Sequence, residues 1–440
     1  MANIRPFRGL RYNPDKICDL SDVITAPYDR IHEAEQAQYY AQSPYNFVRI
    51  IQGYQHPDDS DVNNVYTRAR CYKETWLAED VFIRDPQPAL YVIEQHFTTP
   101  DGNQHRRLGL TVALELSRFD EGTVLPHEYT LRGPKEDRLK LTQTTETAWG
   151  HIFLLYPDRN NTIINLLRPF LDSHIPALVR DLVIEPDVEQ NFWVVNDPDV
   201  AQSVVEAMAR IAPLIIADGH HRYETALIYR DQQRAAHPDA PPQAAFNYVL
   251  ATLVSMDDPG LVVLPTHRLI HSYSLMSSQQ LLQALTPYFD IQRMPSLEAT
   301  QQAMAEAHPD HPRYGFFDGT FYLLTLKDLA VMDQLLPDRD PSFRRLDVTI
   351  LHELIIERTM KLSKESISRK ENLTYLRDPQ PGIEAVAGGS ANFLFLLNPT
   401  RIEQVRACTE AGERMPQKST DFYPKIVSGL VALPLSGRLE

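Results

Sequence analysis

The sequence predicts a mixed α/β and α+β protein, and three stretches predict it. Between Ile211 and Asp231, the apolar run Leu214-Ile215-Ile216-Ala217 fits a strand covered on both faces, and it runs through a polar knot into a helical pattern. Residues 151 to 231 order strand, helix, strand, polar turn and helix as an α/β arrangement does. Residues 271 to 330 alternate short helix and strand patterns, as a small α+β module would.

Taken in order, residues 1 to 30 read as an arm, then a strand at Val23-Ile24 and a turn at Thr25-Ala26-Pro27-Tyr28-Asp29. Arg5, Arg8 and Arg11 among Phe7, Leu10 and Tyr12 suit either a phosphate-facing arm or a solvated edge. Residues 31 to 82 read as helical, with apolar positions at helical spacing over 32–40 and 61–77. Leu90 to Phe97 and Arg107 to Leu114 alternate around Pro100-Asp101-Gly102, which predicts a hairpin. Leu125 to Arg138 reads as a loop, with a helix over 136–146. A buried strand follows at 151–156, then a helix over 166–183 interrupted near Pro176, a strand at 191–195 and a helix from Asp197 through Met208. The central helix is expected to begin near Tyr223 or Glu224.

Further on, residues 237–242 read as a linker, 246–254 as a helix continuing into a strand, and Leu261 to Leu264 as a strand ending in Pro265-Thr266-His267-Arg268. Arg345 to Leu362 carries the apolar face of a long helix. His352-Glu353 is no metalloprotease signal, because Ile356 stands where a second histidine is required. Strands are expected at 372–376 and 392–397, and a helix over 400–412 ending at Gly412. The expected domains are a main α/β domain over 1–270, a small α+β module over 271–335 with a structural or lid role, and a segment 336–440 packing back on the main domain.

Composition bounds the function. With 43% hydrophobic and 23% charged residues the chain is core-forming, and 58 acidic against 43 basic residues leave a net charge of −15 that disfavours nucleic acid. No apolar run approaches the roughly 20 residues of a membrane span, and residues 1–6 lack the core of a signal peptide, so a cytoplasmic protein without membrane contact is expected. Cys18, Cys71 and Cys408 are far apart and form neither a disulfide framework nor a cysteine zinc site.

The strongest candidate site is Asp218-Gly219-His220-His221-Arg222, at a helix start. There, unpaired N–H groups and the helix dipole favour a phosphate, Gly219 permits close approach, and Arg222 offers a planar fork of donors. The imidazoles suit hydrogen bonding to phosphate, proton transfer or metal binding; the competing reading is a turn capped by Asp218. Asp29, a carboxylate just after a strand, suits magnesium or a catalytic base. A second candidate combines the acid–base pair His127 and Glu128 with the cations Arg132, Lys135 and Arg138, against helix-surface pairing as the alternative. His267-Arg268 makes a third. In the tail from Gly412 to Lys425, Lys418, Ser419 and Thr420 suit an ordered loop over a phosphorylated ligand or a basic surface loop; the glycines of a P-loop are absent.

Nearly the whole chain resembles the bacterial and archaeal family of domain of unknown function 1015, through Ile4 to Tyr12, Ala26 to Asp29, Pro44 to Asn46, Pro126 to Glu128 with Asp137-Arg138, Asp218 to Arg222, Leu264 to Arg268 and Gly412 to Lys425. Gly219 to Glu224 is similar, over six residues, to the phosphate-binding box of the ParB and sulfiredoxin superfamily, which also contains kinases of free serine. His220 stands where sulfiredoxin has its reactive cysteine, so a sulfinic-acid reductase is excluded. The resemblance implies a ParB/sulfiredoxin-like nucleotide-binding core and an enzyme that uses ATP, or another nucleotide, with Mg2+ to phosphorylate a small serine-like metabolite. Two other classes compete: a metal-dependent phosphoester hydrolase, with Asp218, His220, His221, His127 and Glu128 as ligands, and a nucleotide-gated regulatory module without catalysis.

Overall fold

The computed structural model describes residues 2–129, 132–306 and 308–439, with the side chains of 132–134 and 368 outside the description. The chain forms two compact units, one of residues 1–126, 130–262 and 424–440, the other of 127–129 and 263–423.

The first unit is built on a nine-stranded mixed sheet. Its order is Val124–Pro126, Leu214–Asp218, Ile152–Tyr156, Tyr248–Ser255, Gln104–Glu115, Leu90–Thr98, Glu185–Val195 and Ala177–Asp181, with Ile4–Arg5 paired beside Gln104–Glu115. Leu214–Asp218 runs parallel to Val124–Pro126 and antiparallel to Ile152–Tyr156, which is parallel to Tyr248–Ser255. The hairpin expected around Asp101 is present, with Thr98 opposite Gln104. Helix Thr162–Ser173 buries Ile163, Leu167, Phe170 and Leu171, which recur at helical spacing. They share a core with Val204 and Met208 of helix Pro198–Met208 and with alternate residues of the strands, among them Leu110, Val112, Leu154 and Ile216. A second core gathers Tyr12, Tyr39, Phe47, Trp76, Phe82 and Trp149.

The second unit holds a six-stranded antiparallel sheet in the order Phe289–Met294, Phe321–Leu326, Arg313–Phe317, Phe393–Leu396, His267–Ile270 and Leu373–Leu376. Helices Ser278–Leu285 and Leu297–Ala305 alternate with its first strands as the module pattern predicts.

Five local expectations are corrected. Residues 177–181 form an edge strand instead of helix: Val179 and Asp181 are buried at period two, and the strand pairs with Glu185–Val195. Residues 246–254 are strand from Tyr248, preceded only by a single 3-10 turn. The central helix begins at His220, earlier than expected, and the helix of the 125–138 stretch begins at Arg132. The long helix over 345–362 is a π-helix from Ile350 to Thr359, in which all but Glu353, Glu357 and Arg358 are buried. Among the described residues no helix is long and apolar enough to cross a membrane.

Candidate functional site

In the first unit the site is a junction between a buried strand and a helix of 17 residues. Leu214, Ile215 and Ile216 are at most 1% exposed, as a strand flanked on both sides requires. The ladder shifts register between Ile216 and Asp218, and such irregularities re-aim side chains at sheet ends. Gly219 then takes φ +94°, a conformation that glycine adopts without strain, and the helix starts at once. Gly219, not Asp218, is therefore the capping residue, and both histidines lie in the first turn. His220 is buried and His221 half-buried; the His221 carbonyl accepts from Thr225 Oγ1 at 2.7 Å.

Arg222 folds back over this turn. Its Nη2 donates to Asp218 Oδ2 at 2.5 Å and its Nη1 to the His151 carbonyl at 2.6 Å. The guanidinium lies against two glycines: a Cβ on Gly219 would sit 3.1 Å from Nε, and one on Gly150 3.2 Å from Cδ. Burial opposes the charge of Arg222, but Asp218, Asp29 and Tyr28 outweigh it and raise the pKa above the usual arginine value. The same burial and the Arg222 charge push His151 down to about 3, so its ring is neutral.

Lys425 approaches Asp218 from the other end of the chain, with Nζ 3.6 Å from Oδ1. Two buried strand residues hold its backbone: Gln95 Nε2 donates to the Lys425 carbonyl at 3.0 Å, and Arg107 donates to the Pro424 carbonyl. Arg107 lies over the Phe153 ring, and burial pushes its pKa down to about 10. Arg138 stacks on Tyr28 at 4.0 Å, pairs with Asp137 and donates to the Ile51 carbonyl at 2.8 Å. Lys135 pairs with Glu224 at 2.6 Å. Tyr28, Arg138, Gly150 and Arg222 border a cavity of about 60 Å³.

In the second unit, His127 Nε2 is 2.8 Å from Thr420 Oγ1 and 3.7 Å from Glu128 Oε1, and the His127 carbonyl accepts from Met415 N at 2.8 Å. Ser419 Oγ donates to the Pro416 carbonyl at 2.5 Å, and the Ser419 carbonyl accepts from Thr400 Oγ1 at 2.7 Å. The Lys418 carbonyl accepts from Arg268 Nη2 at 3.0 Å. Arg268 lies over the Tyr375 ring and is fully buried, and burial pushes its pKa down to about 10.

Of the residues singled out from sequence, Asp29, Arg138, Asp218, Gly219, His220, His221 and Arg222 thus belong to the first unit, where Arg222 pairs with Asp218 and feels the charge of Asp29. His127, Glu128, Lys418, Ser419 and Thr420 belong to the second. The side chain of Arg132 lies outside the described residues, as do Thr130 and Leu131. Sequence reasoning missed Gly150, Gln95, Arg107 and the role of Lys425 at Asp218. A glycine before a strand and an arginine within one carry no local signal; only the pairing of distant segments shows them. Among the described residues no group of three or more His, Cys, Asp or Glu is arranged to hold a metal ion.

A family model described as "Protein of unknown function (DUF1015)" matches residues 4–349. No curated protein matches the chain. Among solved structures, the chain is similar to a conserved hypothetical protein from Pyrococcus furiosus, at 13% identity and a TM-score of 0.33 over 73% of this chain and 95% of that one. It is also similar to a free serine kinase in complex with AMP, at 13% identity and a TM-score of 0.35 over 73% and 92%. A third is SbnI from Staphylococcus aureus, at 9% identity and a TM-score of 0.34 over 74% and 87%.

Proposed function

Because the chain belongs to the DUF1015 family, whose description names no activity, we propose a function from its own geometry: a cytoplasmic ATP-dependent phosphotransferase acting on a small, serine-like hydroxyl metabolite. The observation that carries it is the junction at Gly219. A left-handed glycine joins a buried strand to a 17-residue helix, and Arg222 and Lys425 converge on the carboxylate between them. The first turn of such a helix attracts phosphate oxygens, and the six residues from Gly219 are similar to the ParB and sulfiredoxin phosphate box.

The two cations have different parts in this reading. Arg222 is committed to Asp218 and the His151 carbonyl, so it is a positioning residue that shapes the turn. Lys425 brings a second cation to the same carboxylate, and in this reading its ammonium meets a phosphate oxygen. His220 and His221, in the first turn, supply proton donors or acceptors. Magnesium is ordinarily held by one or two carboxylates together with the phosphates, and Asp218 and Asp29 fit that donor set; bound there, it would neutralise phosphate charge. The phosphoester hydrolase needs a denser ligand set than the described residues offer.

Calorimetric titration with ATP, ADP and CTP, with and without magnesium, tests the reading on the wild type and on Lys425→Met. We expect ATP to bind and Lys425→Met to weaken it roughly tenfold, the worth of one charge-assisted hydrogen bond. A folded protein that binds none of the nucleotides sinks the proposal. Binding without ADP formation in the presence of serine and other hydroxyl metabolites leaves the regulatory module in its place.

A further inference from the structure

The second unit contains a cavity of about 220 Å³, lined by none of the residues of the proposed nucleotide site. One wall is the π-helix Ile350–Thr359. Hydrogen bonds of the i→i+5 kind seldom extend beyond one turn and persist mostly at functional positions. Here Met360 N donates to the Ile355 carbonyl at 2.8 Å, and Thr359 Oγ1 donates to the Leu354 carbonyl at 2.7 Å. This wide helix puts His352, Glu353 and Glu357 on the cavity, with the aromatic rings of Tyr129, Phe343 and Tyr375 among the other lining groups.

The charges of the cavity are unevenly committed. Arg339 is paired with Glu413 at 2.7 Å and lies over Phe343, and Arg414 lies over Tyr129. His352 Nε2 accepts from Arg268 Nε at 3.1 Å, which leaves the ring proton on Nδ1. The two glutamates share one cation, Lys364, whose Nζ is 3.3 Å from Glu353 and 3.4 Å from Glu357 while its side chain stays 68% exposed. Separately, the Tyr375 hydroxyl is buried with no hydrogen-bond partner. Two neighbouring carboxylates attract an ammonium group, and Lys364 places one there on a solvated stem.

We propose that this cavity binds a small ligand bearing a primary ammonium, which takes the place of Lys364 between Glu353 and Glu357 and donates to the Tyr375 hydroxyl oxygen. The proposal is independent of nucleotide binding. Burial, then repulsion from Glu353, pushes the Glu357 carboxyl up to about 7. The other charged groups around it are Lys364 and Glu365, with Arg339 and Arg414 on the cavity wall, while His352 is held neutral by burial and Arg268. Ligand affinity therefore rises about tenfold from pH 6 to pH 8 as the Glu357 carboxyl ionises.

The test is calorimetry on the full chain with methylammonium, putrescine and glycine at pH 6 and pH 8. The isosteric Glu357→Gln should weaken methylammonium at pH 8 by about tenfold. Lys364→Met, which removes the competing ammonium, should tighten it roughly fivefold, an effect that a general loss of structure cannot produce. Putrescine binding above glycine would identify a diamine ligand, and the reverse an amino acid. No binding of any probe, or Lys364→Met binding that is unchanged or weaker, overturns the proposal.

Discussion

Arg222 occupies a slot that two glycines leave open, and its charge balances the carboxylate that ends the central strand. Removing one partner of a buried pair leaves the other uncompensated. Asp218 keeps Lys425 nearby and is partly exposed, so Arg222→Ala should lower stability by about 2 kcal/mol rather than the larger loss of a fully buried pair, read from the midpoint of urea unfolding. Gly219→Ala should cost about 1–2 kcal/mol through its left-handed φ alone; an unchanged midpoint would contradict that backbone conformation. His151 carries the pH dependence of this site. Folded, its ring resists protonation down to about 3 because of burial and Arg222, whereas unfolded it takes a proton near 6.5. The unfolded chain therefore binds the extra proton between those values, and the stability from this group is lost as the pH falls. The stability difference between wild type and His151→Gln should shift by about 2 kcal/mol between pH 7 and pH 5, with the wild type losing more.

At the scale of elements, helix Pro198–Met208 shows how far local chemistry reaches. Asp197 accepts from Asp199 N and Val200 N, and Pro198 occupies a position where no N–H is missed. Asp197→Ala should cost about 1 kcal/mol in thermal or urea unfolding. The segment 345–362 shows where local chemistry stops. Its apolar residues read as one face of an α-helix, yet Leu351, Leu354, Ile355 and Ile356 are all buried, more than one such face can cover. The wider π-turn buries them all and still leaves Glu353 and Glu357 on the cavity side.

For the whole molecule, the last segment completes the first unit. Leu433–Pro434 pairs with Thr147–Ala148, Ala432 bridges Leu10 and Ser428 bridges Thr25, while Val427, Leu430, Val431 and Leu433 are at most 3% exposed. Each such side chain contributes about 1.5–3 kcal/mol on burial, and their sum rivals the roughly 5–15 kcal/mol by which a domain is stable. Truncation after Tyr423 should therefore leave the first unit unfolded, seen as loss of its cooperative thermal transition. A truncated chain retaining that transition would show that the segment adds little.

The elements that local pattern controls were legible in the chain: the hairpin about Asp101, the alternating helices and strands over 271–330, and the run from Leu214 to Asp231 as strand, turn and helix. In each, hydrophobic period and turn chemistry act over a few neighbouring residues. The tertiary structure alone decided that 177–181 is strand, because its partner strand supplies the hydrogen bonds. It alone placed Arg222 against Gly150 and Lys425 beside Asp218, across some 70 and 200 positions of sequence. It also divided the polar stretches between two units, one around Asp218 and one around His127, Arg268 and Thr420. Such pairings come from backbone segments meeting across sheets and cores, and no local period of the chain encodes them.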